Sequence, residues 1–162
     1  MIKPNVKQYN KEPKIFDQQR LYNYGIWLLS KKDYSRQEIF KKMTKYQPEE
    51  KIIESVLNKL EEHSYLNDSR VISNVFKVYS QKESRSKIKN RLILKGINQD
   101  EINEFLSENS NSEKELDSAI SLLNKKFKSY NVELTKKYYA FLAGKGFGWD
   151  VVSKAVSNFK NQ

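Results

Sequence analysis

The sequence contains no cysteine, which excludes disulfides, thiolate metal ligands and thiol nucleophiles together. One histidine, His63, is too few for a histidine metal cluster. It follows Glu61-Glu62 at the end of an acidic helical pattern, where an imidazole caps the last carbonyls or faces solvent. Only 5 glycines and 3 prolines interrupt 162 residues, so turns are few and long helices are favoured over a sandwich or barrel. No apolar run approaches a membrane span. The opening Met1-Ile2-Lys3-Pro4-Asn5 lacks the apolar stretch of a signal peptide, so a cytoplasmic location is expected. There is no phosphate-binding glycine loop followed by Lys-Ser/Thr, no G-x-S-x-G and no H-E-x-x-H. The one glycine cluster, Gly144-Lys145-Gly146-Phe147-Gly148, ends a helical pattern and reads as a helix–helix turn. The acid pairs Glu49/Glu50 and Glu61/Glu62 sit at helix ends, where they suit the dipole or solvent. Neither catalysis nor a cofactor or metal is expected.

What is present is a repeat of about fifty residues. Shifting Ser35-Arg36-Gln37-Glu38-Ile39 by 49 positions places it on Ser84-Arg85-Ser86-Lys87-Ile88. Met43 then falls on Leu92, Ile53 on Ile102 and Leu57 on Leu106. A further shift of 50 places Leu92 on Leu142, Gly96 on Gly146, Asp100 on Asp150 and Ile102 on Val152. Apolar positions survive while polar ones drift, as when one helical unit is copied under a core constraint. Repeats of this period are stacked supersecondary units, each too small to bury its own apolar face. Stacking creates a grooved surface, which suits a binder better than a pocket enzyme.

The fold expectation is all-α: three tandem three-helix repeats near 21–66, 67–110 and 111–162, stacked into an elongated, curved rod, preceded by a flexible or loosely docked arm over 1–20. Leu21 to Leu29 is apolar enough for burial on most sides. Ser35 with Glu38 makes a capping box, and Pro48-Glu49-Glu50 opens a third helix. Asp68 is expected to cap the next helix and Ser84 the one after, with Gly96 as a left-handed stop. Ser112-Glu113-Lys114-Glu115 reads as another capping box.

Charge is sorted over these helices. The middle segment of the second repeat carries Lys82, Arg85, Lys87, Lys89, Arg91 and Lys95 against Glu83 alone, while its third helix holds Asp100, Glu101, Glu104 and Glu108 without a base. The first repeat shows the same contrast more weakly. Pairing of basic and acidic helices for solubility accounts for part of this, but a net charge of +10 remains. Basic middle helices one repeat apart form a stripe that attracts phosphates or an acidic protein surface. The aromatics Phe76, Tyr79, Phe105, Phe127, Phe141 and Phe159 fall at core spacing. Tyr34, Tyr46, Tyr130 and Phe147 lie at helix junctions, as inter-helix plugs or as platforms for bases.

Lys31-Lys32-Asp33-Tyr34-Ser35-Arg36-Gln37-Glu38-Ile39 resembles the R-D-x-S-x-x-E-L opening of the bacterial regulatory protein family RecX. Leu60-Glu61-Glu62-His63-Ser64-Tyr65-Leu66-Asn67-Asp68-Ser69-Arg70 is similar to that family's L-x-x-x-G-Y-L-D-D-x-R-F link. Arg91-Leu92-Ile93-Leu94-Lys95-Gly96-Ile97 resembles its E-L-x-x-K-G-I. Lys125-Lys126-Phe127 and Phe141-Leu142-Ala143-Gly144-Lys145-Gly146-Phe147 look like its K-K-F and F-L-x-R-R-G-F. Ser64, Asn67, Val71 and Lys145 depart from the usual Gly, Asp, Phe and Arg. The resemblance implies a monomer that binds the RecA recombinase, chiefly its filament on single-stranded DNA, lies along the filament groove and contacts single- or double-stranded DNA. It implies suppression of the ATPase, strand exchange and recombination. A free-standing basic DNA-binding protein is the alternative.

The candidate partner- or polyanion-binding residues are Arg36, Lys41, Lys42 and Lys45 in the first repeat and Arg85, Lys87, Lys89, Arg91 and Lys95 in the second. Lys125, Lys126, Lys136, Lys137 and Lys145 complete the set. Arg85 and Arg91 rank first because a guanidinium fork grips a carboxylate or phosphate through two hydrogen bonds. Their rival role, strongest for Arg36 and Arg85, is pairing with acids of their own third helices. For the rod, small-angle scattering should give a radius of gyration well above the ~15 Å of a compact chain of this length; a value at that figure contradicts an elongated shape.

Overall fold

The computed structural model describes residues 15–162. Among these residues there are nine α-helices, one short 3-10 turn and no strand, so the all-helical expectation holds. None of the helices is long and apolar enough to cross a membrane. The chain divides into two compact units, one ending at Leu66 and one spanning Asn67–Gln162.

The first unit contains α1 (Gln18–Leu29), α2 (Arg36–Met43) and α3 (Glu50–Glu62). Asp17 starts α1 by accepting the Arg20 amide on its carboxylate at 2.7 Å. Ser35 and Glu38 form both arms of the capping box that starts α2. Ile53, Val56, Leu57 and Leu60 line one face of α3 at helical spacing and are fully buried with Leu21, Ile39 and Met43. Gly25 lets α1 approach this core. A Cβ there would lie 2.6 Å from the Leu60 methyl group.

One boundary differs from expectation in this unit. Residues 1–14 of the expected arm lie outside the described residues, but its remaining end is docked. Phe16 stacks on Tyr46 at 4.5 Å and donates its amide to the Tyr46 carbonyl, so α1 begins three residues before the expected repeat. The segment 21–29 is buried or half-buried except at Asn23 and Trp27, with Tyr24, Ile26 and Leu29 packed against the core. Leu21, Tyr22, Gly25 and Leu28 face inward, and Trp27, on the far side of the same helix, is 56% exposed.

After α3 the chain reverses through Ser64, whose φ of 59° lies in the left-handed region. Tyr65 and Leu66 then donate their amides to the Leu60 carbonyl, and Leu66 enters the core. The residue that departs from glycine in the link motif therefore occupies the position that most favours glycine. His63 is the C-cap residue of α3, and its Nδ1 is hydrogen-bonded to the Tyr22 hydroxyl at 2.5 Å.

The second unit runs α4 (Asp68–Tyr79), α5 (Arg85–Leu94), α6 (Gln99–Asn109), α7 (Ser112–Phe127), α8 (Thr135–Gly144) and α9 (Trp149–Lys160). It has two separate apolar clusters. Val71, Ile72, Ile88, Leu92, Ile97, Ile102 and Leu106 form one. Ala119, Leu123, Tyr138, Leu142, Phe147 and the inner face of α9 form the other. Two caps differ from expectation by one residue. Asn67, not Asp68, caps α4, and Asn111, not Ser112, caps α7 with its side-chain oxygen on the Lys114 amide at 2.8 Å. In each case the preceding asparagine holds the extended backbone that a cap requires, which draws the expected capping residue into the first turn. Glu115, released from the expected capping box, accepts the Arg85 amide at the start of α5 at 3.0 Å.

The seam between the two clusters is polar. Ser84 donates its amide to the Lys145 carbonyl at 3.0 Å, and Ser118 donates its hydroxyl to the Ser80 carbonyl at 3.2 Å. Gly146, with φ of 87°, sits against this seam, where an added Cβ would meet the Ser84 Oγ at 2.7 Å.

Opposite signs follow for two substitutions. Ser64→Gly should raise stability by about 1 kcal/mol by removing a left-handed non-glycine residue. Gly146→Ala should lower it by about 2 kcal/mol through backbone strain and the Ser84 contact. Urea melts of the two variants check both; a destabilised Ser64→Gly would refute the assigned left-handed turn.

Candidate functional site

The fold sorts the candidate cations into committed and exposed groups. On α2, Arg36 is committed. Its guanidinium meets Glu54 and Glu61 at 2.5 and 2.6 Å and donates to the Asn58 side chain at 2.8 Å, all on α3. The rival role therefore holds for Arg36. Lys41 and Lys45 are exposed, one turn apart. Lys42 is half-buried, its ammonium 5.0 Å from the Tyr34 ring centre, and Lys32 holds the same ring at 4.3 Å.

Arg85 differs from its repeat mate. No acid of α6 pairs with it among the described residues; Arg85 lines a cavity of about 330 Å³ with Glu83, Glu115 and Asp117. This cavity lies within the second unit, between α5 and α7.

Arg91 closes its fork on Glu83, Nε and Nη2 donating to the two carboxylate oxygens at 2.5 and 2.7 Å. The same guanidinium lies 4.2 Å over the Tyr79 ring. Glu83 is 8% exposed. The Arg91 hydrogen bonds hold its carboxyl below the usual carboxylate range against the opposing effect of burial, with help from the charges of Arg91, Lys87 and Lys145. Lys87 itself donates to the Gly144 carbonyl at 2.9 Å, fastening α5 to the end of α8.

The sequence places Lys126 and Lys145 19 residues apart, and the fold brings both to one ring. Their ammonium groups lie 4.1 and 5.8 Å from the Phe141 centre. Thus Lys87, Arg91 and Lys145 gather around one buried carboxylate, with Lys126 sharing a ring with Lys145, and positive charge is left in excess. Lys125, Lys136 and Lys137 are exposed, while Lys89 and Lys95 are half-buried. Such an arrangement can hold oxyanions, whether carboxylates or phosphates, at fixed cations.

Among the junction aromatics, Phe147 is buried, Tyr46 stacks on Phe16, and Tyr130 packs against Tyr138 and Phe159. These three are plugs. Sequence reasoning missed the exposed rings. Trp149 is 74% exposed at the first position of α9, where α3 and α6 begin with Glu50 and Gln99. A tryptophan in register with two polar residues was the signal available.

Comparison with known proteins bears on this arrangement. A family model described as the first three-helix domain of RecX matches residues 22–60, and one described as its third three-helix domain matches 113–156. The chain is 30% identical over 145 residues to "Regulatory protein RecX" of Clostridioides difficile (strain 630), covering 86% of this chain and 68% of that protein. It is 31% identical over 133 residues to the protein of the same name from Neisseria gonorrhoeae (strain FA 1090), covering 81% and 85%. The crystal structure of RecX from Lactobacillus salivarius superposes with a TM-score of 0.76 at 20% identity, over 90% of this chain and 98% of that one.

The depressed Glu83 carboxyl fixes a pH dependence. A carboxyl whose folded pKa lies below its unfolded value contributes stability above the unfolded value, and this is lost as pH falls through the folded one. Glu83→Gln should therefore cost about 2 kcal/mol at neutral pH, a figure moderated by the partial exposure of Arg91. It should also flatten the acid limb of the stability curve below the ordinary carboxylate range. Denaturant melts across acidic pH measure this, and an unchanged acid limb would refute the role given to Glu83.

Proposed function

The chain belongs to the RecX family of regulatory proteins, and from that premise we propose that it binds the RecA recombinase, chiefly as the filament on single-stranded DNA. Binding lowers the ATPase, strand-exchange and recombination activities of that filament in the cytoplasm. The observation that carries this reading is a family match at both ends of the chain, together with cations fixed on rings and carbonyls instead of being neutralised. The partner supplies oxyanions from acidic side chains or from DNA phosphates. Fixed cations lose little side-chain entropy on meeting them.

A reversal of Lys87, Lys89 and Arg91 together would remove charge but also strand Glu83 without its partner. The exposed set gives a cleaner test. Addition of the protein to RecA on single-stranded DNA should inhibit ATP hydrolysis at well below one copy per RecA, and excess single-stranded DNA should leave the inhibition in place. Lys125→Glu, Lys136→Glu and Lys137→Glu combined should weaken inhibition at least tenfold and flatten its salt dependence, with helicity unchanged. Inhibition that disappears on adding excess DNA would favour the free-standing DNA-binding reading. Absence of inhibition at any ratio would refute the proposal.

A further inference from the structure

Trp149 is the largest side chain that the second unit leaves in solvent, and it does not stand alone. Its ring lies 5.2 Å from that of Tyr139 on α8, tilted by 33°. The two rings, with Ala140, Ala143, Phe147 and Val152, line an open apolar recess of about 340 Å³. Phe147 and Val152 form its floor and belong to the buried cluster, so the recess is backed by rigid core. Small residues at 140 and 143, one turn apart, keep its α8 wall low.

The two helices that line this recess carry four lysines, Lys136, Lys137, Lys154 and Lys160, against one acid, Asp150. Lys136 lies three residues before Tyr139 and seven before Ala143, on the same exposed side of α8, and α8 contains no acid. Lys160 lies eleven residues, about three turns, beyond Trp149 on the matching side of α9. Asp150 is the only acid on α9, and its carboxylate oxygen lies beside Gly148 at the helix start.

We infer that this recess is a docking site for an acidic peptide segment of a protein partner, one bulky apolar side chain entering between Trp149 and Tyr139 while flanking carboxylates meet Lys136 and Lys160. The recess is lined almost wholly by carbon, which an aliphatic or phenyl anchor fills and the polar edges of a nucleobase do not. Aromatic anchors in water-excluding pockets carry most of the energy of such contacts, and rim charges set their salt dependence and rate. The inference rests on the proposed reading of the chain as a regulator that binds a protein, and it names an apolar surface that shares only Lys136 with the candidate cations.

The test uses the full chain with Trp27→Phe, which leaves Trp149 as the only tryptophan. Three probes are titrated while its fluorescence is followed: a short synthetic peptide with one phenylalanine among aspartates and glutamates, the same peptide with that phenylalanine replaced by serine, and oligo-deoxythymidine. The anchored acidic peptide should shift the emission and bind saturably. Loss of the anchor, or Ala143→Glu, should weaken binding about thirtyfold, and Lys136→Glu about tenfold with a flatter salt dependence. A response to oligo-deoxythymidine alone, or to none of the probes, would overturn the inference. RecA ATPase inhibition is measured on the same proteins. Inhibition by the parent with no peptide binding sinks the docking site and leaves the proposed function standing, whereas peptide binding without inhibition does the reverse.

Discussion

A carboxylate with 8% exposure has to be compensated, and the second unit arranges its charges around that requirement. Glu83 precedes the cap of α5, where the chain turns from α4, and Arg91 reaches back two turns to close both hydrogen bonds. Tyr79 holds the other face of the guanidinium, so the pair is fixed by stacking as well as by charge. Lys87 and Lys145 approach the same carboxylate from two different helical groups. One acid thus organises cations that would otherwise repel, and their excess charge can face a partner in a defined geometry.

The first unit solves the same problem outside its core. Arg36 stands at the repeat position of Arg85, yet three side chains of α3 claim it. The acids of α6 do not claim Arg85 in the same way: the positions of Glu54, Asn58 and Glu61 fall on Asn103, Ser107 and Ser110 in the second repeat. Repeats that share an apolar register have in this way acquired different charge pairings, and equal sequence position does not imply equal role.

Much of the fold was legible because it depends on local rules. The 3.6-residue spacing of Ile53, Val56, Leu57 and Leu60, the box of Ser35 and Glu38, and the positive-φ glycines at 96 and 146 need no knowledge of distant residues. The errors arose where two neighbours compete for one task, as Asn67 with Asp68 and Asn111 with Ser112. They arose also where a side chain is recruited from afar, as Glu115 is by α5. The basic residues themselves were legible, but not which of them are committed. Arg91 and Glu83 are eight residues apart, and Lys126 reaches Phe141 only through tertiary packing. Trp149 was overlooked because a tryptophan at the start of a helix reads as core unless the register is compared across repeats.

The seam between the two apolar clusters of the second unit has a thermodynamic character of its own. It is made of hydrogen bonds at Ser84, Lys145, Ser80 and Ser118, with the Lys87 ammonium on the Gly144 carbonyl and the Glu115 carboxylate on the Arg85 amide, and each cluster keeps its own apolar interior. Parting the two groups would leave both apolar clusters intact, so its heat-capacity change and denaturant slope would be smaller than those of melting either cluster. Water can replace each of those bonds at nearly equal enthalpy. The joint would therefore open in a temperature-insensitive step that leaves the circular dichroism intact, with the Ser84 and Arg85 amides as its hydrogen-exchange reporters.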